Sequence, residues 1–86
     1  MTDVSGKNNK LEISESFMKT NIRKYRFERG ELSQQQLADM VNVSRQTIVS
    51  IERGDYSPSV KLALLLAVRL GTTVEALFEL EETDHA

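Results

Sequence analysis

The chain has 86 residues, carries a formal charge of −2 from 11 bases and 13 acids, and contains no cysteine. That length suits one small domain rather than a two-domain enzyme. Without cysteine there is neither a disulfide framework nor a thiolate zinc site, so an apolar core alone must hold the fold, as suits a reducing cytoplasm. The longest apolar run, Leu62 to Val68, is seven residues, far short of the ~20 that cross a bilayer, and nothing near Met1 resembles a signal peptide.

Residues 1–17 are polar, with Gly6, Asn8 and Asn9, and are expected to form a flexible extension. Ile22 and Tyr25 then mark one face of a first helix over 20–29, which Gly30 can close. Ser33 followed by Gln36 has the capping-box spacing and opens a second helix, with Leu37, Ala38 and Val41 on one face. Asn42 tolerates the left-handed conformation that ends it, and Ser44 caps a third helix over 45–53, stopped at Gly54. Ser59 caps a fourth helix over 60–70, ended by Gly71, and Thr72 with Glu75 is the expected capping box of a fifth over 73–78. The alternation of apolar and acidic residues from Phe78 to Glu81 can also pair as a short strand with the stretch before the first helix. Residues 18–82 thus form the domain, and 83–86 an acidic tail.

The net charge conceals an asymmetry. Between residues 19 and 53 seven bases face four acids, whereas residues 75–84 hold five acids and no base. A basic face for a polyanion and an acidic tail held away from it follow from that split.

Two short helices joined by a few residues, the second capped at once, make a helix-turn-helix, whose second helix can enter the major groove of DNA. At about 100° per residue, Arg45, Gln46, Val49, Ser50 and Arg53 share one half of the third helix, and Thr47, Ile48, Ile51 and Glu52 the other. Ile48 and Ile51 should therefore pack on Leu37, Ala38 and Val41, leaving Arg45, Gln46, Val49 and Ser50 outward.

The run from Leu32 to Ser59, LSQQQLADMVNVSRQTIVSIERGDYSPS, resembles the Cro/repressor (XRE) family of helix-turn-helix transcriptional regulators, especially its small one-domain members, and the likeness continues through LALLLAVRLGTTVEALFELEE. It departs from the commonest pattern in one extra loop residue, Glu31, and in Asn42 where a turn glycine is usual. The resemblance implies an all-α, five-helix lambda-repressor-like domain that binds double-stranded DNA. Base contacts then fall to Arg45, Gln46 and Ser50, and the chemistry adds Val49: Arg45 can grip guanine O6 and N7, Gln46 adenine N6 and N7, and Val49 a thymine methyl. Phosphates are expected at Gln34, Thr47, Arg53, Tyr56 and Lys24. Arg26 and Glu52 match a family salt bridge between the first and third helices.

The fourth helix is apolar almost all round and needs cover on more than one side. A homodimer on an operator with two half-sites is therefore expected, through Leu77, Phe78 and Leu80 with the fourth helix adjoining. No metal or cofactor is expected, nor a membrane or enzymatic role, since the one histidine, His85, lies in the acidic tail. Repression by occluding a promoter is the expected activity. The alternative is a protein-interaction module, of antitoxin or coactivator-bridge type, binding an unidentified protein partner with the same fold.

Overall fold

The computed structural model describes residues 18–80, so the extension expected at 1–17, the acidic tail at 83–86 and His85 lie outside the described residues. The elements are strand β1 (Met18–Thr20), helices α1 (Ile22–Glu28), α2 (Gln34–Met40), α3 (Arg45–Glu52), α4 (Val60–Leu70) and α5 (Val74–Leu77), and strand β2 (Phe78–Leu80). The five expected helices are present, joined by a two-stranded antiparallel sheet in which Met18 faces Leu80 and Thr20 faces Phe78. That pairing shortens the first helix, because Thr20 is extended in β1 and α1 starts at Ile22.

Side-chain caps set most helix starts. Ser33 Oγ accepts the Gln36 amide at 2.9 Å while Gln36 Oε1 accepts the Ser33 amide at 2.8 Å, which satisfies two orphan donors reciprocally. Ser44 accepts from the Thr47 amide at 3.2 Å, and Ser59 from the Leu62 amide at 3.1 Å. The α5 cap is Thr73 rather than Thr72: its Oγ1 accepts the Ala76 amide at 3.1 Å. Thr72 is still occupied in closing α4, since its amide donates to Ala67 O at 2.9 Å behind Gly71. Asn42 has φ 63°, as the turn requires, and the extra loop residue Glu31 is also left-handed at φ 58°.

Ile22, Leu37, Ile48, Ile51, Leu66 and Leu77 are fully buried, so all five helices contribute to one core. Ala38 lies among them at 0 % exposure, where α2 meets α3. Leu77 corrects an expectation. Assigned to a dimer face, it is instead sealed inside the core of the domain, because the single turn of α5 aims it inward and Asn21 N donates to its carbonyl at 2.8 Å.

The sheet is fastened to the end of α3. Thr20 Oγ1 donates to Glu52 O at 3.2 Å, and Asn21 Nδ2 donates to Ala76 O at 2.9 Å and Glu79 Oε2 at 3.0 Å. Gly54 is buried at φ 81°, and a Cβ there would overlap the Met18 carbonyl oxygen, so β1 can approach only because this residue has no side chain. Gly54→Ala is expected to lower the unfolding free energy by about 2–4 kcal/mol, from strain plus displacement of β1. Gly30→Ala, where φ is 96° and nothing lies within 4 Å, should cost only about 1–2 kcal/mol. Urea unfolding of both variants checks the ranking, and equal losses would mean that β1 shifts freely.

Candidate nucleic-acid interface

Helix α3 is held by one face. Ile48 and Ile51 are fully buried against α2, while Arg45 and Gln46 are exposed and Val49 and Ser50 are half-buried on the other side. The turn between the helices is closed by Val43 N donating to Ala38 O at 3.0 Å. Gln46 Nε2 lies 3.5 Å from Ser50 Oγ, so these two side chains share one polar strip. The loop after α3 folds back beside it, where Asp55 N donates to Ser50 O at 3.1 Å. A shallow depression of about 350 Å³ results, lined by Ser44, Gln46, Thr47, Ser50, Asp55 and Tyr56.

The residues expected at phosphates are divided. Thr47 and Tyr56 line that depression, and Thr47 Oγ1 is 3.0 Å from Ser44 Oγ. Arg53 is exposed beside it, with Nε 3.2 Å from Asp55 Oδ2. Gln34 is half-buried, and its amide donates to Glu52 Oε1 at 3.1 Å, so its amino group is already engaged within the protein. Lys24 is exposed on α1, outside the depression, with Nζ 5.5 Å from the Tyr25 ring centroid.

Arg26 and Glu52 bind α3 to α1. Arg26 Nε lies 2.7 Å from Glu52 Oε2 and Nη2 lies 3.2 Å from Oε1, while Nη1 donates to Leu32 O at 2.7 Å. Both side chains are at least nine-tenths buried, at 8 % and 10 % exposure. With Gln34 added, the Glu52 carboxylate takes donors from α1 and α2, and neither ion of the pair is left unsatisfied.

The exposed apolar surface lies mainly on α4, not on α5. Val60, Leu64 and Val68 recur every fourth residue at 77 %, 53 % and 67 % exposure, and Leu80 is 60 % exposed on β2. A groove of about 360 Å³ runs along this face past Met18, Pro58, Val60, Leu64 and half-buried Phe78. Two features were not singled out from the sequence: the outward stripe of α4, masked by a helix apolar all round, and Asp55, which lies just past the basic segment. Among the described residues no group of three or more His, Cys, Asp or Glu could hold a metal ion.

The helix-turn-helix family model matches residues 22–77. An uncharacterized HTH-type transcriptional regulator of Methanothermobacter thermautotrophicus is 48 % identical over 66 residues, covering 76 % of this chain and 94 % of that protein. YgzD, an uncharacterized HTH-type transcriptional regulator of Bacillus subtilis, is 42 % identical over 65 residues, covering 76 % and 97 %. Among solved structures, the clp gene regulator ClgR from Corynebacterium glutamicum superposes with a TM-score of 0.57 at 28 % identity, over 62 % of this chain and 55 % of that one.

Arg26→Met leaves the Glu52 carboxylate buried without its main partner and is expected to cost about 3–5 kcal/mol of stability. The double variant Arg26→Met, Glu52→Leu should lose markedly less. Chemical denaturation checks both, and a single-variant loss below ~1 kcal/mol would show that water reaches the carboxylate.

Proposed function

Because the chain belongs to the helix-turn-helix family of XRE-type transcriptional regulators, a family of DNA-binding regulators, we propose that it is a dimeric repressor reading a specific operator with α3 in the major groove. The observation that carries this reading is the outward strip of exposed Arg45 and Gln46 with half-buried Ser50, on a helix whose opposite face is locked into the core. Arg45 grips guanine O6 and N7, Gln46 adenine N6 and N7, Ser50 a base edge or phosphate, and Val49 a thymine methyl. Thr47, Tyr56 and Arg53 bind phosphates on the flanks and set the register, with Lys24 reaching the backbone from α1. Gln34 contributes chiefly by holding Glu52, whose carboxylate it already meets at 3.1 Å.

The α4 stripe of Val60, Leu64 and Val68, together with Phe78 and Leu80, supports a two-fold pairing of two copies. Leu77 takes no part, being buried. A pair of reading helices about 34–36 Å apart would then meet two half-sites one helical turn apart. Occlusion of a promoter by that dimer is the simplest route to repression, and such a role places the protein in the cytoplasm with the DNA.

Footprinting on the DNA upstream of the protein's own coding sequence tests the reading. Arg45→Ala should lose about 1–3 kcal/mol on the protected site while changing random-sequence binding little; equal losses on both would remove Arg45 from base reading. Leu64→Glu should convert the dimer to a monomer in sedimentation equilibrium and weaken operator binding. A wild-type chain that sediments as a monomer at all concentrations tested would overturn the dimer.

A further inference from the structure

Asp55 stands in an unexpected place for a protein that grips a polyanion. Its carboxylate is 52 % exposed and it lines the same depression as Gln46, Thr47, Ser50 and Tyr56, where it is the one acid among the lining residues. Its backbone is fixed there, since its amide donates to Ser50 O at 3.1 Å and the preceding residue, Gly54, is buried against β1. Asp55 Oδ2 lies 3.2 Å from Nε of Arg53, itself 67 % exposed. An ion pair so open to water adds little to folding. Its consequence falls instead on whatever Arg53 would otherwise meet.

We infer that Asp55 is a built-in counter-charge that holds Arg53 from phosphate and so sets how tightly the reading head grips DNA of any sequence. The inference rests on the DNA-reading function proposed above. In the free protein the Asp55 carboxylate neutralises Arg53. On the duplex, Arg53 must exchange that carboxylate for a phosphate, leaving a fixed negative charge facing the backbone. Both steps weaken the sequence-independent part of binding, the part governed by counterion release. The base-reading residues Arg45, Gln46 and Ser50 are untouched by the exchange, so Asp55 adjusts grip rather than sequence preference. It acts through Arg53 and is a positioning residue.

The test compares wild type with Asp55→Asn on the footprinted site and on a random duplex, across a series of salt concentrations. Asp55→Asn should tighten binding to both duplexes. It should steepen the plot of log affinity against log salt by about 0.9 per protomer, which over a four-fold fall in salt amounts to about 3.5-fold per protomer. Asp55→Glu should behave like wild type. In an Arg53→Gln background most of the gain should vanish. Thermal unfolding should be unchanged by Asp55→Asn, which separates this role from a structural one. An unaltered salt slope would overturn the inference, as would a loss confined to the footprinted site, which would instead make Asp55 an acceptor for a cytosine amino group. If the wild-type chain binds neither duplex, the DNA-reading function falls and this inference falls with it.

Discussion

The Glu52 carboxylate at the end of α3 takes three donors from two other helices, two from Arg26 on α1 and one from Gln34 on α2. A buried ion pair of this kind adds less to stability than its short distances suggest, because desolvation offsets much of the attraction. What it supplies is direction. Apolar contacts between α2 and α3 tolerate small rotations and slips of side chains, whereas a carboxylate engaged on both oxygens does not. The orientation of Arg45, Gln46 and Ser50 relative to the rest of the domain is therefore fixed from the far end of their own helix. Thr20 adds a further hydrogen bond to the Glu52 carbonyl, so the sheet helps hold the same point.

Features set by nearby residues were legible in the sequence, and features set by distant ones were less so. Ser33 with Gln36, Ser44 and Ser59 cap their helices as their spacing indicates, because a cap needs only a hydroxyl and an amide three residues on. Thr72 had the same spacing, yet it belongs to the closing turn of α4 and the cap of α5 falls one residue later, on Thr73. The partner of β1 lies some sixty residues away, and the sign of the pairing is the alternation from Phe78 to Glu81 rather than anything in Met18 to Thr20. Leu77 and Phe78 are neighbours with similar side chains, yet one is sealed and the other only half-buried. Only the packing of a one-turn helix decides between them.

The candidate interface followed the same division. The polar strip on α3 could be read from helical periodicity, because Ile48 and Ile51 identify the inward face. The fold-back of the following loop could not, and with it came Asp55. Counting charge along the chain placed a basic segment from 19 to 53, while the folded protein sets an acid beside its last base. Apolar residues showed a parallel effect: α4 is so uniformly apolar that its sequence does not distinguish the face covered by Leu66, Ala67 and Leu70 from the face that exposes Val60, Leu64 and Val68.

Met18 and Leu80 lie opposite one another in the sheet, so β1 and β2 close the fold like a clasp across the helices between them. Contacts this far apart in sequence form late and fray early, whereas α2 and α3 pack through local contacts. The clasp also borders the apolar groove, to which Met18 and Phe78 both contribute. Whatever covers that groove favours the closed clasp by mass action. Closure of the β1–β2 sheet and occupancy of the α4 face are then one linked equilibrium, and the stability of the domain becomes a function of its own concentration wherever the occupant is a second copy.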